Sequence, residues 1–112
     1  MVMIFSSEKP REFLFKNRYV LTWRKVTLNF ERKLGKEWIT NKRCGKKIAD
    51  VIVSIVTKCG IPPSEFFLKD YVFASGFQTA TEWRDEILKL NKPDPDIGLI
   101  GNIYCVILKK KL

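Results

Sequence analysis

The sequence predicts a small α+β domain built on a mixed or antiparallel β-barrel and flanked by about three short helices. Segments rich in β-branched and aromatic residues occur throughout the chain, and helix-start signals stand between them. The length of 112 residues fits one domain, taken as residues 1–112. The predicted order is β-α-β-turns-β-α-α-β. Because the strands are distant in sequence, this order indicates a curved sheet or small barrel rather than a set of hairpins.

The first half of the chain contains two predicted strands and one helix. Residues 2–7 (VMIFSS) have the apolar run of a buried strand, and Ser7 can cap a helix that continues to about Asn17. Residues 18–30 (RYVLTWRKVTLNF) have the composition of a long strand. Alternation along it places Tyr19, Leu21 and Trp23 on one face and Val20, Thr22 and Arg24 on the other. Both faces carry large side chains, as in a small closed barrel.

The second half begins with two predicted turns, at residues 31–38 around Gly35 and at 41–47 around Gly45. Residues 79–82 (TATE) form a capping box, which marks a helix start. The same criteria predict a strand at residues 47–58 and a helix at 64–75 that is ended by Gly76. They also predict a second helix at 80–91 and a closing strand at 102–111. The segment 91–96 (NKPDPD) is a predicted loop.

The charge of the chain is strongly positive and unevenly distributed. The formal net charge is +9, from 21 Lys and Arg against 12 Asp and Glu. Residues 8–47 hold 13 basic and 4 acidic residues, residues 48–108 hold 5 and 8, and three lysines follow at 109–111. This bias favours contact with a polyanion, nucleic acid before an anionic membrane, with general solvation as the alternative.

The residue types that are missing exclude several chemistries. The chain has no His and three Cys without a C-x-x-C pair, so we expect no zinc, no other metal and no cofactor. Catalysis that depends on His is excluded. The first apolar run is too short for a signal peptide, and the longest contains Asp50, so no membrane contact is expected. The predicted location is the reducing cytoplasm, and the abundant Lys, Ile and Phe are compatible with a thermophilic host or its virus.

Four segments, taken in their order along the chain, are similar to the sequence motifs of a known domain family. They are TWR (22–24), CGKKIADVIVSIV (44–56), ASGFQTATEW (74–83) and NIYCVILKK (102–110). On these segments the chain resembles the ASCH domain, a relative of the PUA fold. The resemblance implies a pseudo-barrel with a cleft that acts on RNA or on modified nucleosides.

The resemblance also implies which residues to inspect for catalysis. Some members of that family are amidohydrolases that deacylate modified cytidine with a Lys, a Thr and a Glu. Here the Thr is Thr22, but the Lys position holds Tyr19, the Glu position holds Ser75, and the glycine that precedes the Lys is replaced by Asn17. A phenol does not easily serve as a base near neutral pH. The family's catalytic route is therefore expected to be absent.

The favoured hypothesis is a non-enzymatic module that binds nucleic acid, with RNA favoured over DNA. Arg24 and Thr22 would line the cleft with Ser75, and Tyr19 or Trp23 would stack on an unpaired base unless they are core residues. The predicted contact residues are Lys16, Arg18, Tyr19, Thr22, Trp23, Arg24, Lys25, Arg43, Lys46 and Lys47. Two alternatives stay open: a nucleoside- or nucleic-acid-modifying amidohydrolase-like enzyme with altered residues that uses Thr22, and a module whose basic face binds an acidic protein partner.

Overall fold

The computed structural model describes residues 2–26, 34–57, 60–93 and 98–112. The strands are β1 (Val2–Ile4), β2 (Tyr19–Lys25), β3 (Gly35–Thr40), β4 (Ala49–Ile55) and β5 (Gly101–Lys111). The helices are α1 (Glu8–Asn17), α2 (Glu65–Leu68) and α3 (Ala80–Leu90), with a 3₁₀ turn at Val72–Ala74. None of the helices in these described ranges is long and apolar enough to span a membrane.

The five strands form one sheet in the order β1-β3-β4-β5-β2, which curls into a half-barrel. β1 pairs with β3 in parallel, and the other three pairings are antiparallel. This confirms the predicted α+β class with a mixed sheet and three short helices. β1 and β2 are the two outermost strands, so the open side of the half-barrel lies between them.

Two hydrophobic clusters lie on opposite faces of the sheet. On the first face, Leu14 of α1 packs with inward residues of every strand, among them Val20, Val53 and Val106. On the second face, side chains of β2 and β5 pack against α2, the 3₁₀ turn and α3. Leu21 and Trp23 are examples from β2. The result is three layers, with α1 on one side and the other helices on the other side.

Two predicted elements are corrected by the structure. Residues 34–38, predicted as part of a turn, belong mostly to β3, whose first residue is Gly35 with φ +98°. The predicted helix 64–75 is divided into α2 and the 3₁₀ turn. The part of the long strand at 27–30, the turn residues 31–33 and the loop residues 94–96 lie outside the described residues.

The remaining helix boundaries agree closely with the prediction. The Thr79 hydroxyl accepts a hydrogen bond from the Glu82 N–H at 3.1 Å, and the Glu82 carboxylate accepts one from the Gln78 N–H at 3.3 Å. The first bond satisfies a free N–H of the first turn of α3, and the second joins the Glu82 side chain to the residue before the cap. α1 begins after Ser7, which has the extended backbone of a cap residue but makes no side-chain cap bond.

Candidate functional site

Two polar side chains of β2 lie where the two outermost strands approach each other. Arg24 Nη1 donates a 2.6 Å hydrogen bond to the carbonyl oxygen of Ile4 in β1, and Arg24 Nε donates to Thr22 Oγ1 at 3.1 Å. The guanidinium carbon lies 4.6 Å from the centre of the Phe5 ring, which is a cation–π contact. Arg24 therefore links β2 to β1 across the open side of the half-barrel.

A cleft of about 260 Å³ opens beside this link. Its walls are the chain after β1, the second half of β2, Phe77 and α3 with the residue that follows it. The lining residues are Ile4, Phe5, Ser6, Ser7, Pro10, Thr22, Trp23, Arg24, Lys25, Phe77, Trp83, Glu86, Ile87, Leu90 and Asn91. The cleft thus brings together four members of the predicted set, Thr22, Trp23, Arg24 and Lys25. Lys25 Nζ also donates to the carbonyl oxygen of Lys92 at 2.5 Å, which holds the end of β2 to the end of α3.

The cleft carries charges of both signs. Glu86 of α3 lines it together with Arg24 and Lys25. A wider groove of about 650 Å³ lies alongside and shares Ser7, Phe77 and Glu86 with the cleft. Its charged lining residues are the carboxylates Glu8, Glu82, Asp85 and Glu86 and the amines Lys9 and Lys89. Carboxylates outnumber amines in this groove, so its charge disfavours a phosphate backbone.

The carboxylate of Glu82 is held in its charged form. Lys9 Nζ lies 2.9 Å from Glu82 Oε1. The Lys9 hydrogen bond and then the Gln78 N–H lower the pKa of the Glu82 carboxyl below its ordinary value. Glu82 therefore serves as a helix cap and ion-pair partner and is a poor candidate for a general acid at neutral pH.

The two aromatic side chains predicted as stacking surfaces pack on the second face of the sheet. Trp23 is 4% exposed, and its Nε1 donates a 3.2 Å hydrogen bond to the carbonyl oxygen of Ile61. Trp23 is thus a core residue, the alternative to stacking, although it also borders the cleft. Tyr19 is partly buried and meets the Phe13 ring edge-on at 5.9 Å between centroids. It is not among the residues that line the cleft.

Ser75 also lies outside the lining of the cleft, and this corrects its predicted place. Its side chain is 1% exposed. Ser75 Oγ donates to the carbonyl oxygen of Val72 at 2.8 Å and accepts from the Phe77 N–H at 3.1 Å. These bonds close the 3₁₀ turn. Gly76 follows with φ +90° and packs so closely on α1 that a Cβ would lie 2.6 Å from the Lys9 carbonyl oxygen.

Most of the other predicted basic residues collect at one end of the sheet, because four chain segments meet there. The N–H of Leu108 donates to the carbonyl oxygen of Arg18 at 2.9 Å, and the N–H of Leu112 donates to that of Ile48 at 2.9 Å. The end of β5 therefore lies against the end of α1 and the β3–β4 loop. We call this region the basic end, and its exposed basic residues are Lys16, Arg18, Lys42, Arg43, Lys46, Lys47, Lys109, Lys110 and Lys111.

Contacts within the basic end leave most of its positive charge at the surface. Lys47 Nζ forms an ion pair with Asp50 Oδ1 at 2.6 Å. Lys111 Nζ lies 4.8 Å from the centre of the Phe15 ring. The base of the β3–β4 loop reaches the cleft on one side, since the Phe5 N–H donates to the carbonyl oxygen of Thr40 at 2.8 Å. Arg24 and the basic end are therefore connected around the β1 side of the molecule.

The backbone of the basic end is unusual at two positions. Within the described ranges, Arg18 (φ 70°) and Cys44 (φ 59°) are the non-glycine residues with positive φ. Arg18 follows the last turn of α1, a position at which glycine or asparagine is the ordinary choice. An arginine there costs about 1 kcal/mol relative to glycine. Strained backbone concentrates at functional positions, so this observation favours a role for the Arg18 side chain.

Sequence reasoning missed two features of the site. Glu86 lines the cleft, although no carboxylate was predicted beside Thr22. Glu86 follows Trp83 by three residues on α3. This spacing places Glu86 on the side of the helix that meets the sheet, and it was the signal in the sequence that could have predicted its position. The second feature is the position of the lysines at 109–111 beside the β3–β4 loop. Only the strand pairing of β4 with β5 reveals it.

Comparisons with protein-family models, with curated proteins and with solved structures found no match to this chain.

Proposed function

We propose that this protein is a non-enzymatic nucleic-acid-binding module, with RNA favoured over DNA, built on an ASCH-type relative of the PUA fold. The observation that carries the proposal is the basic end. Nine exposed basic side chains from α1, its C-cap, the β3–β4 loop and β5 share one end of the sheet. Each lysine or arginine that contacts a phosphate releases counterions, which favours binding.

Two further observations support this assignment over general solvation. Three acidic residues of α3, Glu82, Asp85 and Glu86, line the wide groove on the helical side of the molecule. The separation of charge creates a dipolar surface that orients a polyanion toward one end. The strained backbone of Arg18 adds a cost that solubility alone does not explain. The preference for RNA rests on the family resemblance of the sequence.

Removing three lysines of the basic end is expected to weaken RNA binding by about tenfold or more at low salt. The variant is Lys46→Ala, Lys109→Ala and Lys110→Ala combined, all at exposed positions. The slope of log K against log salt should become shallower by about one for each lysine that contacts a phosphate. Titrations of single-stranded RNA, duplex RNA and duplex DNA over a salt series measure both quantities.

A second triple variant provides the matched control for this experiment. Lys69→Ala, Lys89→Ala and Lys92→Ala also remove three exposed positive charges, but on the side of α2 and α3. Its binding should stay within about twofold of the unaltered protein, because its lysines lie outside the basic end. Equal losses in the two triple variants would show that only net charge matters. No binding of the unaltered protein to any of the three nucleic acids would refute the proposed function.

Hydrolysis in the cleft is a second candidate, and one observation favours it. Glu86 lines the same cleft as Thr22, so a carboxylate and a hydroxyl share the site although the family's Lys and Glu positions are replaced. A threonine nucleophile needs a base that accepts its proton. The Thr22 hydroxyl, however, already accepts a hydrogen bond from Arg24 Nε at 3.1 Å.

We expect no deacylation of acylated cytidines above the rate in buffer. Product formation followed by chromatography measures this directly. Turnover that is lost both in Thr22→Val and in Glu86→Gln, with each variant still folded, would overturn the non-enzymatic assignment. Lys25→Ala is a suitable control, because Lys25 lines the cleft but its Nζ is engaged by the carbonyl oxygen of Lys92.

A further inference from the structure

Within residues 2–26, 34–57, 60–93 and 98–112, no helix packs on the part of the second face formed by β3 and β4. Along β4 the residues Ala49, Val51 and Val53 are buried on the α1 side, whereas Asp50, Ile52 and Ser54 alternate with them and are more exposed. Trp38 and Lys36 of β3 lie on the same side as Asp50 and Ile52, because they are their cross-strand partners. Ile52, Trp38 and Lys36 belong to neither hydrophobic cluster. We call this surface the open face.

The strand register arranges the open face in rows. One row crosses four strands as Lys36, Ile52, Ile107 and Tyr19. Ile107 is 43% exposed, although it lies in the interior of β5. The next row has Trp38 as its aromatic member. Trp38 is partly exposed, in contrast to the buried Trp23 and Trp83.

Basic residues border this apolar surface on two sides. Trp38 pairs with Asp50 across β3 and β4, and Asp50 pairs with Lys110 across β4 and β5. A register shift between Asp50 and Val51 leaves Lys109 as an extra residue of β5 between Leu108 and Lys110, as in a β-bulge. The one carboxylate of this row is engaged by Lys47. The open face is thus continuous with the basic end at this row, and Lys36 lies in the row beyond it.

We propose that the open face is a stacking platform for single-stranded RNA, on which an unpaired base lies against Trp38 while its phosphates contact Lys109 and Lys110. This inference rests on the proposed function and specifies its substrate as an unpaired strand. A tryptophan beside lysines is the combination that single-strand binders use, since every base has a π face and every nucleotide a charge. A duplex hides its bases and would contact only the lysines.

Tryptophan fluorescence tests this directly, because the three tryptophans differ in exposure. Trp23 is 4% and Trp83 3% exposed, whereas Trp38 is partly exposed. A single-stranded oligouridine should quench the emission of Trp38 and protect it from acrylamide. Duplex RNA should bind without either effect. Trp38→Phe should lose the quenching while it keeps most of the affinity, since phenylalanine still stacks.

Affinity measurements complete the test. Trp38→Leu should weaken oligouridine binding by roughly 5- to 150-fold and leave duplex binding within about twofold. Phe73→Leu is the matched control, because Phe73 is an aromatic residue that is 69% exposed on the helical side. It should change neither affinity.

The possible failures are distinguishable. If oligouridine and duplex both fail to bind the unaltered protein, the proposed function is refuted. If both bind, but oligouridine neither quenches nor protects Trp38, the stacking platform is refuted and the proposed function stands. The quenching measurement needs no substitution, so the platform can be refuted even if Trp38→Leu does not fold.

Discussion

Replacing Gly76 with alanine is expected to lower the free energy of unfolding by about 2–5 kcal/mol. Gly76 has φ +90°, a conformation that costs an L side chain about 1–2 kcal/mol. An added Cβ would also lie 2.6 Å from the carbonyl oxygen of Lys9 and 2.8 Å from the Cα of Pro10. Both are backbone atoms of α1, so the helix itself must shift. Urea unfolding followed by circular dichroism measures the loss.

Gly35→Ala separates the two causes of that loss. Gly35 has φ +98°, but a Cβ there would meet no atom within 4 Å. Its replacement should cost only the conformational part, about 1–2 kcal/mol. If Gly76→Ala cost no more than Gly35→Ala, the close contact between the 3₁₀ turn and α1 would be disproved.

Replacing Arg24 with alanine is expected to lower the free energy of unfolding by about 2–4 kcal/mol. The variant loses a charge-assisted hydrogen bond to the carbonyl oxygen of Ile4, the bond to Thr22 and the contact with the Phe5 ring. Arg24→Lys should recover only part of the loss, because a lysine cannot donate in two directions from a planar group. Chemical denaturation gives the stability, and hydrogen exchange of the Phe5 amide reports the attachment of β1.

Lys25→Ala is the control for Arg24. Lys25 is the adjacent residue, lines the same cleft and makes one hydrogen bond, so its loss should cost less than about 1 kcal/mol. If Arg24→Ala is as stable as the unaltered protein but binds RNA much more weakly, then Arg24 contacts the RNA and does not stabilise the fold.

The elements with a clear local pattern were predictable from the sequence. The alternation of β4, the cap of α3 by Thr79 and the stop at Gly76 are properties of neighbouring residues, and the structure contains all three. β3 was not predicted, because a glycine such as Gly35 is typical of a turn and a charged residue such as Glu37 is typical of the solvent-exposed surface. In the structure Glu37 is 8% exposed on the α1 side. Only the sheet around it creates that environment.

The site was less predictable than the fold for the same reason. Thr22, Arg24 and Lys25 are close in sequence, and their common cleft follows from one strand. The choice between core and stacking for Trp23 depends on contacts distant in sequence, such as its hydrogen bond to Ile61. The hydrogen bonds of Ser75, in contrast, are to its neighbours Val72 and Phe77. The open face around Trp38 depends on a strand that the sequence did not predict.

The short pairing of β1 has a consequence for self-association. β1 joins the sheet through three residues, Val2–Ile4 against Trp38–Thr40. When it detaches, the edge of β3 has unpaired N–H and C=O groups that another strand can complete. The β1 strand of a second copy has the matching register, so two molecules can exchange this strand and form a domain-swapped dimer. The hydrogen bond from Arg24 to Ile4 helps to hold β1 in the sheet, so its loss would speed the detachment that precedes an exchange.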